Sequence, residues 1–355
     1  MRRYDVAKGV EAALARFTVP ETLGFGAVDA PLMFGVDWSN GSWGRGQLLP
    51  HGQISIAPGA RALQYAELVF EGLKAYRIAR ERPNLFRPLE NCRRLAHSAE
   101  RLSMPAVPET LFLEALEAVA GTLARFVPGK SGQALYLRPF LFGTESGYLI
   151  RNSSTFRFMV IANPVEAYST GPMRVAIERR DVRAAIGGVG CAKAAANYAA
   201  SLRATSAAVA RGYTVALWLD AAEHRFIQEL SGMNLFAVID GELHTPELDG
   251  AILPGITRDS LIILARHLGH SVVERPMPID ELLGQLGTGT CSELFACGTA
   301  AIVNPIGVLA EPDGTEYAPR DVGRLAAELR EALLSIQERR AADPFGWVRE
   351  IAALP

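Results

Sequence analysis

In the run GGVGCAKAAANYAASLRA, Gly187 to Ala204, a single amine, Lys193, stands among glycines and alanines. Residues with little or no side chain let a bulky group approach the backbone closely. A surface lysine has no use for that clearance. A lysine amine within reach of an aldehyde can attack it, provided its pKa falls from the ordinary value of about 10.4. A second candidate is Glu229 in FIQELSGMNLF, a carboxylate between apolar neighbours on a strand that ends in a Ser-Gly turn. Taken alone, it is better explained by a buried structural salt bridge than by catalysis. Two turns could hold an anion. LPGITRDS places Gly255, Ile256 and Thr257 at a helix start, where free backbone N–H groups converge, and ACGTAA, Ala296 to Ala301, is a second turn of small residues. Each turn is a weak signal by itself. An amine, a strand carboxylate and two anion-binding turns together complement pyridoxal phosphate, which offers an aldehyde, a ring nitrogen and a phosphate.

Rival motifs fail on inspection. FVPGKSG has Ala124 where a phosphate-binding loop needs its first glycine, and in GVGCAK Lys193 replaces the third glycine of a dinucleotide fingerprint. HExxH and GxSxG are absent. The four cysteines, Cys92, Cys191, Cys291 and Cys297, fit no zinc spacing, so no metal is expected. His267 and His270 close a predicted helix, where the dipole favours them. The 355 residues are 49% apolar and 21% charged with a formal net charge of −2. That balance supports two domains with a large core and lacks the basic excess of a nucleic-acid binder. No stretch is apolar enough to span a membrane, and Asp5, Lys8 and Glu11 interrupt any signal-peptide core. A cytoplasmic, reducing location is expected.

These groups must be positioned by regular elements. From Pro31 to Leu85 the pattern is short strands and turns, with a hairpin signal at Asn40-Gly41. Helical spacing runs through LENCRRLAHSAERLSM and PETLFLEALEAVAGTLARFV, and QALYLRPFLFGTE and TFRFMVIANPV read as strands. Residues 163–172, with proline and glycine, are expected to link a domain over 1–162 to one over 173–355. In the second domain, Lys193 is expected to open a helix that ends at Gly212. TVALWLDA, RFIQEL and NLFAVIDGELHTP read as strands, and GITRDSLIILARHLGH and RDVGRLAAELREALLSIQERR as helices. The fold class is α+β in two domains.

FEGLKAYR, FRPLENCRRLAHSAERLSMP, LYLRPFLFGTE, KAAANYAASL, ELSGMNLF, LPGITRDSLI and FACGTAA occur in that order along the chain. In these motifs it resembles the branched-chain amino acid aminotransferases, particularly actinobacterial ones, over nearly its whole length. The resemblance implies the fold type IV architecture shared with D-amino-acid aminotransferase and aminodeoxychorismate lyase, bound pyridoxal phosphate, and amino exchange between an L-amino acid and 2-oxoglutarate. It implies a homodimer. It also implies roles. Lys193 carries the cofactor and shuttles the proton. Glu229 keeps the ring nitrogen protonated. Arg94, the backbone at Ile256 and Thr257, and Thr299 take the phosphate, and Tyr198 the phenolic oxygen. Tyr65, Tyr136, Arg138 and the Thr299–Ala300 turn line the substrate side, although core packing accounts equally for Tyr65 and Tyr136.

The chain departs from the family at the side-chain pocket. The usual FGKxFTDHM reads FGAVDAPLM, so Asp29 stands at the pocket phenylalanine, and Tyr148 and Ile150 replace a leucine and a valine contributed across the dimer. A carboxylate in an apolar pocket costs desolvation unless the ligand is polar or cationic, so Asp29 points either to a specialised donor or to solvent. Other fold type IV activities and a non-catalytic cofactor-binding paralogue are the alternatives. The second is disfavoured by the presence of both Lys193 and Glu229.

Overall fold

The computed structural model describes residues 4–78, 82–166, 171–352 and 354. The chain divides into two compact units. One comprises Met1–Tyr168, Ala192–Ala195 and Ser335–Pro355, the other Ser169–Cys191 and Ala196–Leu334. This differs from the expected boundaries in three places. The first residues of the expected linker belong to the strand Phe156–Val165, because Asn163, Pro164 and Val165 pair with Tyr136, Leu135 and Ala134. Residues 167–170 of that linker lie outside the described residues. The segments 192–195 and 335–355, expected in the second domain, are held by strands of the first.

The first unit is built on a ten-stranded sheet. Its main path runs Tyr4–Val6, Gly46–Pro50, Leu32–Ser39, Phe156–Val165, Ala134–Gly143, Leu73–Tyr76, Asn84–Phe86 and Val348–Glu350. Asn40 and Gly41, at φ 52° and 78°, supply the two left-handed residues that a tight hairpin turn requires. Along Ala134–Gly143, Leu135, Leu137 and Leu141 enter the core with Phe112, Leu116 and Val119 from the helix Glu109–Thr122. The two-residue period of a strand then puts Tyr136, Arg138 and Phe140 on the other face. The helix Pro88–Arg101 starts on a proline, whose missing N–H is not needed in the first turn. It buries two adjacent rows: apolar Cys92, Leu95 and Ala99, and polar Asn91, Arg94 and Ser98.

The second unit has a nine-stranded sheet, with Met173–Ile177 parallel to both Val215–Leu219 and Ile302–Ala310. Ile227–Leu230 ends in a Ser231-Gly232 turn, with Gly232 at φ 78°, that leads into Asn234–Ile239. The helix after Lys193 spans Ala195–Ala210 and so starts later than its alanine-rich sequence suggests. The reason is tertiary: Phe70 N–H donates to the Lys193 carbonyl and Ala194 bridges Val69, which holds this stretch extended. Among the described residues, no helix is long and apolar enough to cross a membrane and no His, Cys, Asp and Glu cluster suits a metal.

Candidate active site

Lys193 belongs to the first unit, where its main chain is fixed on both sides. Its N–H donates to Ser98 Oγ (2.9 Å), and its carbonyl accepts from Phe70 N–H (3.0 Å). The side chain is half-buried, with Nζ 5.1 Å from the Phe70 ring centroid.

The residue that sequence reasoning missed is Glu71. It has no exposed surface and meets Arg94 in a forked pair, Arg94 Nε to Oε1 at 2.7 Å and Nη2 to Oε2 at 2.9 Å. Asn91 Nδ2 and the Gly72 N–H also donate to Oε2. Burial alone would raise this carboxyl's pKa. The Arg94 charge and hydrogen bonds outweigh it, aided by the Lys193 charge and the Asn91 amide, and hold the pKa below the usual carboxylate range. The pair's contribution to stability is therefore complete above the ordinary glutamate value of about 4.3 and is lost as pH falls through the depressed one. Glu71→Gln should cost about 3–5 kcal/mol at neutral pH, because it leaves a buried arginine uncompensated. Urea unfolding at pH 7 and at about pH 3 checks this: the gap between wild type and variant should narrow at the lower pH.

On the other face of the Ala134–Gly143 strand, Arg138 Nη2 donates to Tyr136 Oη at 3.0 Å. The guanidinium carbon lies 4.6 Å from the Phe70 centroid. Arg138 Nε is buried and has no hydrogen-bond partner. A Cβ at Gly72 would sit 2.0 Å from Tyr136 Oη, so any side chain at this position would displace the tyrosine. Tyr136 is buried yet presents its hydroxyl to Arg138, and Phe25 meets its ring edge-on at 5.1 Å. Tyr65 is exposed, so packing does not explain it; its hydroxyl donates to the Tyr148 carbonyl (2.7 Å). Tyr148 and Ile150 are 74% and 95% exposed. Asp29 is not in an apolar environment. Its side chain is 57% exposed, accepts from Asn163 Nδ2 (2.9 Å) and lies 3.9 Å from His51 Nε2.

In the second unit Glu229 is buried and engaged, as its setting between apolar residues demanded. Leu253 N–H and Asn234 Nδ2 donate to its Oε2 at 3.0 and 3.4 Å. Arg183 Nε lies 3.2 Å from Oε1 as an ion pair, without the alignment of a hydrogen bond; Arg183 Nη2 donates to the Ala251 carbonyl instead. The salt bridge left open by the sequence is thus present. The helix Ile256–His267 begins at Gly255 with no side-chain cap, which leaves the N–H groups of Ile256 and Thr257 without one. A Cβ at Gly255 would lie 2.0 Å from Asn234 Oδ1. Thr299 and Ala300 are half-buried in the turn joining Cys291–Gly298 to Ile302–Ala310, and Ile302 takes φ 62°, a strained value for a β-branched residue. Tyr198 is 37% exposed on the Ala195–Ala210 helix. Burial pushes the thiols up, Cys92 to about 11 and Cys291 and Cys297 to about 12, so all three stay protonated at neutral pH. The first unit thus carries a half-buried amine and a buried arginine, and the second, taken by itself, a buried carboxylate and an uncapped helix start.

A family model described as amino-transferase class IV matches residues 68–308. The chain is 41% identical over 338 residues to a branched-chain-amino-acid aminotransferase of Mycolicibacterium smegmatis, covering 92% of each. It is 40% identical over 335 residues to a probable branched-chain-amino-acid aminotransferase of Streptomyces coelicolor, covering 93% of this chain and 92% of the relative. Among solved structures, the branched-chain aminotransferase of Thermoproteus uzoniensis with norvaline matches with a TM-score of 0.74 at 27% identity, over 89% of this chain and 98% of that one. The branched-chain amino acid aminotransferase from Escherichia coli matches with a TM-score of 0.68 at 28% identity, over 88% of this chain and 98% of that one. Coverage this even, on a fold type IV architecture of two α+β units, leaves one assignment: the chain belongs to the branched-chain-amino-acid aminotransferase family, the pyridoxal-phosphate-dependent class IV aminotransferases.

Proposed function

We propose that this aminotransferase moves the amino group of an L-amino acid of branched-chain type to 2-oxoglutarate, as a cytoplasmic homodimer. The carrying observation is that Lys193 and Arg138 share one ring: Nζ and Cζ lie 5.1 and 4.6 Å from the Phe70 centroid, and Arg138 Nε is buried without a partner. An α-amino acid carries its carboxylate and its reactive C–H on one carbon. A guanidinium and an amine on the same ring suit both.

In this reading Arg138 and Tyr136, with the Thr299–Ala300 turn, hold the α-carboxylate. Arg94, Thr299 and the N–H groups of Ile256 and Thr257 hold the phosphate, with Glu71 keeping Arg94 in place. Tyr198 donates to the phenolic oxygen. Bound pyridoxal phosphate supplies the aldehyde and a ring that accepts electrons. Glu229 would hold a proton at the ring nitrogen, and Lys193 Nζ would take up and return the proton of the substrate Cα. The exposed Tyr148 and Ile150, with Tyr65 bonded to the Tyr148 carbonyl, are the surface we assign to the second copy.

The exposure of Asp29, and its local partners Asn163 and His51, favour ordinary branched-chain donors over a cationic one. With 2-oxoglutarate as acceptor, leucine, isoleucine and valine should outrun lysine and D-alanine. Asp29→Phe should change these rates by no more than about threefold, as expected of a surface substitution. Lysine outrunning leucine in wild type, with that preference lost in Asp29→Phe, would return Asp29 to the pocket. Turnover of D-alanine alone would point to another fold type IV activity, and no turnover of any donor to a non-catalytic paralogue.

A further inference from the structure

We propose that Ser98 is a positioning residue that sets the spacing between Lys193 and Arg94. Ser98 has no exposed surface and lies in the interior of the helix Pro88–Arg101. Serine is no better than a neutral choice there, since its hydroxyl competes for backbone groups. Here the hydroxyl makes two bonds. It donates to the Arg94 carbonyl one turn back at 2.8 Å and accepts from the Lys193 N–H at 2.9 Å. Backbone contacts to Val69 and Phe70 also tie the 192–195 segment, and residues of many kinds could make them. Through the Ser98 side chain this segment's main chain is tied directly to the helix.

The consequence rests on the roles proposed for Lys193 and Arg94. If one residue joins the aldehyde end of the cofactor and the other its phosphate end, their separation must match a rigid molecule of fixed length. A misplacement of about 1 Å is enough to slow a reaction substantially. The Ser98 oxygen spans the two main chains at the point where that separation is set. Arg94 is held from its other end by the forked contact with Glu71, so its guanidinium and its carbonyl are both fixed.

The test uses the full chain carrying Ser98→Ala, with Ser98→Thr as the variant that keeps a hydroxyl. Three measurements are made: amide hydrogen exchange at Lys193, the rate at which pyridoxal phosphate attaches to cofactor-stripped protein, and kcat and KM for leucine. In Ser98→Ala, exchange at Lys193 should speed up, and attachment and kcat should each fall about tenfold, the effect of one lost hydrogen bond. KM should hold and Tm should move by only a few degrees. Ser98→Thr should restore exchange and attachment. The proposal is overturned if Ser98→Ala leaves attachment and kcat within twofold of wild type. It is equally overturned if the losses only track a large fall in Tm, as for a purely structural role. Failure of the underlying reading looks different, because wild-type protein would then carry no cofactor on Lys193 at all.

Discussion

Lys193→Ala is expected to reduce transamination to background, a loss of about 10⁴-fold or more, because in the proposed roles one side chain is both attachment point and proton carrier. The fold should survive. Both main-chain hydrogen bonds at this position, to Ser98 Oγ and from Phe70 N–H, are available to alanine, and the side chain is only half-buried. Composition makes the chemical test unusually clean. The chain has four lysines, Lys8, Lys74, Lys130 and Lys193. Lys8 and Lys130 are exposed and Lys74 is 2% exposed, which leaves Lys193 as the half-buried one. Borohydride reduction of the loaded protein followed by peptide mapping should place the adduct on Lys193. An adduct on Lys74 or on a surface lysine would refute the assignment.

Glu229→Gln should lower turnover by about 10² to 10³-fold, the usual scale for removing one electrostatic stabiliser of developing charge. Cofactor retention should change far less, since Lys193 and the residues proposed to hold the phosphate are untouched. The Arg183 pair adds a complication. Neutralising Glu229 strands a buried guanidinium, which should cost about 3–5 kcal/mol of stability. The two effects separate in the double variant with Arg183→Met. Stability should recover, because the stranded charge is gone, while turnover should stay low. Turnover close to wild type in Glu229→Gln, measured on folded protein, would show that this carboxylate has only the structural role its salt bridge provides.

Legibility in the sequence followed the range of the cause. The Asn40-Gly41 hairpin and the Ser231-Gly232 turn were readable because the requirement, a left-handed backbone, is local to those residues. Lys193 was readable because its small neighbours adjoin it in sequence. The polar row Asn91, Arg94, Ser98 was not. Periodicity tracks apolar residues, so a buried polar row looks like the solvent side of an amphipathic helix. Its partner Glu71 lies twenty residues or more away, and a pairing of that kind is decided by packing. The same limit misplaced the start of the helix after Lys193: alanine favours helix, but pairing with Val69 and Phe70 overrides propensity at Lys193 and Ala194. Pattern matching placed Asp29 at a pocket position. It could not show that Asn163 and His51 would meet that carboxylate in the open.

The late strand Val348–Glu350 pairs with Asn84–Phe86, and nearby Gln337 accepts from Asn84 and Tyr76 while Glu338 accepts from Ser131 and Gly132. During synthesis, therefore, the unit begun by the earliest residues is not closed when residue 168 leaves the ribosome. Its last strand and several of its hydrogen-bonding partners arrive only after residues 169–334 have been made, which at roughly 5–20 residues per second is a delay on the order of ten to thirty seconds. For that interval the edge strand Asn84–Phe86 offers unpaired backbone groups, and Asn84, buried in the finished protein, has no Gln337 to meet. Contacts of such long sequence separation slow folding. The nascent chain, more than the finished enzyme, is therefore the form of this molecule that offers open backbone groups for misassociation.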